Sequence, residues 1–75
     1  MKRYLNKSGS SGITAYELNA DSITVKFAGG AVYLYTQQSC GKKAIAEMKK
    51  RARDGKGLAT YISRFVKDKY ERQLA

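Results

Sequence analysis

Cys40 is the one thiol in 75 residues, and Lys42 and Lys43 follow it closely. A cysteine near a helix N-terminus with cations beside it is placed to favour the thiolate. Nothing else in the chain completes a nucleophilic site. There is no histidine to act as its base, and the six acids include no pair spaced as a carboxylate dyad. The same inventory argues against zinc or copper, whose sites draw on histidine nitrogen and cysteine sulfur. Ser8-Gly9-Ser10-Ser11-Gly12 offers backbone N–H groups to a phosphate but lacks the lysine and following helix of a P-loop. The chain reads as non-catalytic, with neither cofactor nor metal.

Binding chemistry has more to work with. Fifteen Lys and Arg against six Asp and Glu leave a net charge of +9, and the sequence pI is about 9.9. The charge is uneven: residues 42–75 carry 11 basic and 4 acidic side chains, residues 1–41 only 4 and 2. A field of that sign in so small a chain points first to a polyanion, nucleic acid ahead of anionic membrane, because neutralising phosphates releases counterions. Plain solubility charge is the alternative. Within the C-terminal half, Lys42, Lys49 and Arg53 fall in a narrow arc of a helical projection with Ala46 and no acid. Such a stripe suits a phosphate backbone, although long basic side chains also lie beside a core simply to pack. Lys56, between Gly55 and Gly57, is a further candidate. Lys43, Glu47, Lys50, Arg51 and Asp54 fill the outer side, where opposite charges at helical spacing are expected partly to cancel.

The elements that must position these groups follow from periodicity. Ile13–Leu18 alternates as a strand and turns at Asn19-Ala20-Asp21 into a second, SITVKF (Ser22–Phe27). Leu18 opposite Ile23 places Tyr16 against Val25 inside and Glu17 beside Thr24 outside; the other parity would bury Glu17. Gly29-Gly30 then reads as a two-residue type I′ turn into AVYLYT (Ala31–Thr36). That register sets Phe27 opposite Val32, Val25 opposite Leu34 and Ile23 opposite Thr36 on the core side. Lys26, Tyr33 and Tyr35 then stand on the open side. There the tyrosines would stack unpaired bases, pair structurally across strands, or meet a second copy of the chain.

Ser39 is placed to cap a helix running to about Asp54 and ended by Gly55, with Ala44, Ile45, Met48 and Ala52 inward. A second helix, from about Leu58 to Tyr70, directs Leu58, Tyr61, Ile62, Phe65 and Val66 to the core, with Tyr70 a further candidate at its end. The expected fold is α+β: a three-stranded antiparallel β-meander followed by two helices packed on one sheet face, in β-β-β-α-α order. Residues 1–12 read as a flexible Gly/Ser-containing leader and 13–75 as a single domain. No apolar run approaches the roughly 20 residues that span a bilayer, and MKRYLNKSGSSG has no apolar region of a secretory signal. With its lone thiol, this points to the cytoplasm.

Ser10-Ser11 before Ile13, then Tyr16, the strand ITVKF, a Gly30 turn into Val32-Tyr33-Leu34-Tyr35, a helix, Gly55 and a last helix near Tyr70 together resemble the KTSC domain family. That family takes its name from the C-terminal extension of some lysyl-tRNA synthetases and also occurs as free-standing small bacterial proteins. Its YxY hallmark is Tyr33-Leu34-Tyr35 here. The chain departs from the family pattern at Gln37-Gln38-Ser39-Cys40, where proline is frequent. It departs again at Arg53-Asp54-Gly55-Lys56-Gly57-Leu58, where an aromatic and an asparagine are frequent. The resemblance implies an RNA association without an established activity. The expectation is a non-catalytic RNA-binding module for tRNA-like or single-stranded RNA, using Lys26, Tyr33, Tyr35, Lys42, Lys49, Arg53 and Lys56. The alternative is a protein-interaction or homodimerisation module.

Overall fold

The computed structural model describes residues 1–5, 7 and 12–75. It shows a small α+β domain whose antiparallel sheet has five strands in chain order: β1 (Lys2–Arg3), β2 (Ile13–Leu18), β3 (Ser22–Phe27), β4 (Val32–Thr36) and β5 (Arg72–Gln73). Between β4 and β5 run α1 (Gln37–Cys40), α2 (Lys42–Asp54), α3 (Leu58–Tyr61) and a π-helical segment, Ile62–Val66. Three strands are expected from alternation; the two extra edge strands have two residues each and carry no alternation to detect.

β1 changes the status of the N-terminus. Lys2 and Arg3 pair with Tyr16 and Ala15, and Tyr4 lies in the core at 3% exposure, its ring edge-on to Tyr16. Residues 2–4 thus belong to the domain instead of a leader. The Ser8–Ser11 stretch, which bears the glycine/serine reading, the phosphate cradle and part of the family resemblance, lies outside the described residues.

The β2–β3 register is the expected one, with Leu18 opposite Ile23, Tyr16 opposite Val25 and Glu17 opposite Thr24. An irregularity between Ile13 and Ala15 lets Ile13 and Tyr16 both face inward although they are an odd number of residues apart.

The β3–β4 hairpin corrects the expectation. Its loop has three residues, Ala28-Gly29-Gly30: the Phe27 N–H donates to Ala31 O at 2.8 Å and the Gly30 N–H to Phe27 O at 2.9 Å. Gly30 alone of the pair has positive φ, 95°. A turn closed by a left-handed glycine is the usual three-residue hairpin solution. The extra loop residue reverses the parity of the whole strand. Val25 faces Tyr33, Ile23 faces Tyr35 and Lys26 faces Val32, so both tyrosines lie on the core side and Tyr35 is 2% exposed.

Thr36 caps α1 by a reciprocal pair with Ser39: the Ser39 N–H donates to Thr36 Oγ1 and the Thr36 N–H to Ser39 Oγ, each at 3.1 Å. Ser39 is therefore the third helical residue of a one-turn helix instead of the cap of a long one, and Gly41 at φ 94° separates α1 from α2. Ile45, Met48 and Ala52 turn the inner side of α2 to the sheet. Gly55, at φ 72°, ends the helix as expected, its N–H donating to the carbonyls of Arg51 and Ala52. Leu58, Ile62 and Val66 complete the core. Helical structure stops at Val66 and not near Tyr70, and Phe65 is 58% exposed.

Candidate nucleic-acid interface

Helix α2 presents the strongest field. Around its axis Lys49, Lys42, Arg53, Lys50 and Lys43 follow one another through roughly 120°, an arc that holds Ala46 and no acid. Lys42, Lys43, Lys50 and Arg53 are exposed. Among the described residues the one ion pair within 4 Å is Arg51 Nε to Glu47 Oε2, at 2.7 Å. On the outer side Glu47 is taken by Arg51, and among the described residues the remaining cations have no carboxylate within 4 Å. Lys56 is also exposed, in the turn between two left-handed glycines, Gly55 and Gly57.

Lys49 has a different position from its neighbours. Its ammonium donates to the carbonyl oxygens of Asn19 and, at 2.8 Å, Ala20, tying α2 to the β2–β3 turn. Its charge still adds to the field while its nitrogen is committed to the fold.

The proposed tyrosine platform does not form. Tyr33 is half-buried between Phe27 and Tyr70, with ring centroids 5.7 and 4.7 Å away. Tyr35 is enclosed, and burial, with smaller contributions from Cys40, Tyr33 and Tyr70, pushes its phenol well above the ordinary tyrosine range. Lys26 is exposed on the opposite sheet face, separated from both tyrosines by the sheet itself. That face carries Thr24, Val32 and Leu34 among its strands, with Arg72 beside Leu34 and Arg3 beside Ala15. The structure brings Lys42, Lys49 and Arg53 together and leaves Lys26, Tyr33 and Tyr35 apart from them.

The exposed aromatic surface lies elsewhere. A groove of about 530 Å³ runs beside α2, lined by Cys40, Lys43, Ala44, Glu47, Arg51, Tyr61 and Phe65. The Tyr61 and Phe65 rings are 4.8 Å apart at 34°, and the Arg51 guanidinium carbon stands 5.1 Å from the Tyr61 centroid. Sequence periodicity assigns Tyr61 and Phe65 to the core, so it passes over this groove. Cys40 closes α1 instead of opening α2, and its Sγ donates to the Lys69 carbonyl at 3.1 Å. Among the described residues no group of His, Cys, Asp and Glu could hold a metal ion, and no helix is long and apolar enough to cross a membrane.

Comparison with family models, curated proteins and solved structures yields no match.

Proposed function

We propose that this protein is a non-catalytic RNA-binding module whose contact surface is the outer face of α2. The observation that carries this reading is the acid-free arc of exposed Lys42, Lys43, Lys50 and Arg53, none of them within 4 Å of a carboxylate among the described residues. Cations repeated along a rigid helix meet a phosphate backbone at several points together, and none needs to be stripped from a carboxylate first. The KTSC resemblance adds RNA to what charge alone leaves as a polyanion. With no base-reading motif, binding tolerant of sequence is expected.

Fluorescence anisotropy of labelled tRNA, single-stranded RNA and duplex DNA at about 50 and 200 mM salt tests the reading, since phosphate contacts show as a slope of affinity against salt. A preference for RNA that persists at the higher salt supports it. The Lys42→Gln/Arg53→Gln variant is expected to reduce the log–log slope by about 1.4 to 1.8, the share of two phosphate contacts. An unchanged slope would show that α2 is not the contact surface.

A second reading, a protein-interaction or homodimerisation module, is favoured by the helix-free sheet face, where Val32 and Leu34 are incompletely covered and Leu74 beside them is 47% exposed. A salt-insensitive dimer in light scattering, broken by Leu34→Lys, would support it. Tyr35→Lys is unsuitable for that purpose because Tyr35 is a core residue.

A further inference from the structure

The π-helical segment places an aromatic side chain where a regular helix would not. Continued as an α-helix from Leu58, the chain would turn Tyr61, Ile62, Phe65 and Val66 to one side. The wider turn over Ile62–Val66 instead keeps Leu58, Ile62 and Val66 buried and rotates Phe65 out of the core, to 58% exposure. Phe65 comes to rest against Tyr61, and together they form one wall of the groove beside α2. Arg51 is held in place over Tyr61: its Nε donates to Glu47 Oε2 at 2.7 Å and its Nη1 to the Gly57 carbonyl at 3.3 Å.

We propose that this groove takes an unpaired base of single-stranded RNA, stacked on Phe65 and Tyr61, while the adjoining phosphates lie along the basic face of α2. The proposal rests on the RNA-binding reading above and adds to it a preference for single strands. Charge decides the occupant. Lys43 belongs both to the groove wall and to the basic arc, so the two surfaces are continuous. The one acid in the wall, Glu47, is already paired with Arg51. An apolar peptide side chain would use the rings and leave these cations idle, whereas a nucleotide supplies a π-face and a phosphate together.

The test uses an oligouridylate of about 12 nucleotides, within the span of single-strand sites, carrying one 2-aminopurine, with an RNA duplex of the same length beside it. Stacking is expected to quench the 2-aminopurine on binding. Phe65→Ala should remove the quench and weaken single-strand binding by about tenfold, leaving duplex affinity and the salt slope unchanged; Phe65→Tyr should retain both. Phe65 is outside the core, so circular dichroism should report the parent fold for both variants. If Phe65→Ala binds and quenches as the parent does, while Lys42→Gln/Arg53→Gln lowers the slope, the groove assignment is overturned and the RNA reading stands. Failure of the parent to bind either RNA overturns both. A dimer in sedimentation that Phe65→Ala dissolves, with no effect on RNA, would give the groove to a second copy and likewise overturn the proposal.

Discussion

The phenolic oxygen of Tyr4 accepts the backbone N–H of Leu58 at 3.3 Å, joining residues 54 positions apart inside the core. Leu58 opens α3, so its N–H is one of the donors that a helix leaves without an internal partner. Tyr4→Phe keeps the ring and removes the acceptor, and should cost about 1–3 kcal/mol, the penalty for a buried donor left unpaired. Tyr4→Ala should cost about 3–5 kcal/mol through the cavity it leaves. Urea denaturation of the two variants measures both. A negligible loss in each would mean that the N-terminal residues do not help hold the domain.

The hairpin loop predicts an asymmetry between two adjacent glycines. Gly30 has φ 95° and Gly29 does not have positive φ, while a Cβ at either would meet open space. Gly30→Ala should therefore cost about 1–2 kcal/mol of backbone strain, and Gly29→Ala should stay within about 0.5 kcal/mol of the parent. A two-residue type I′ turn would need positive φ at both positions, so equal losses in thermal or urea unfolding would restore that turn and return Tyr35 to the open face.

Lys49 should matter to stability where its neighbour does not. Lys49→Met retains most of the stem and removes the two bonds to the β2–β3 turn. The expected cost is about 0.5–1.5 kcal/mol. Lys50→Met, on an exposed side chain, should fall within about 0.5 kcal/mol of the parent. Hydrogen exchange should show the extra loss of protection at Asn19–Ser22, and equal behaviour of the two variants would reduce Lys49 to another surface charge.

Tyr35 gives the fold an alkaline limit. Its phenol titrates higher in the folded protein than the ordinary value of 10.0, chiefly because burial disfavours the phenolate. Above pH 10 the unfolded chain releases this proton and the folded chain keeps it. The contribution is therefore fully present below about pH 10 and is lost as pH rises, at up to about 1.4 kcal/mol per pH unit for one proton. Tyr35→Phe should flatten the alkaline slope of unfolding free energy relative to the parent. The same slope in both proteins would show that Tyr35 is not what titrates.

Local rules carried the parts of this chain whose information is local. Asn19-Ala20-Asp21 turned the chain, Glu17 fixed the parity of β2 against β3 because burying it unpaired would be costly, and Gly55 ended α2 in the left-handed conformation. The cationic arc of α2 was also legible, since an axial projection needs only the spacing of Lys42, Lys49 and Arg53. Absence of compensation was not: whether Glu47 neutralises Lys43, Lys50 or Arg51 depends on rotamers, and the structure assigns it to Arg51.

What the amino-acid sequence determined alone is the charge, the lack of a histidine base, the α+β class and the course of β2, β3 and α2, because each follows from composition or from a repeat a few residues long. Tertiary structure decided the rest. One extra residue in the Ala28–Gly30 loop moved Tyr33 and Tyr35 from the open face to the core, where their rings pack with Phe27 and Tyr70. A widened turn over Ile62–Val66 moved Phe65 the other way. Arg72 and Gln73 became a strand only because β4 had a free edge to pair with. In each case the choice depends on which side chains fill the space between sheet and helices and on which strand edges are free, neither of which is local information.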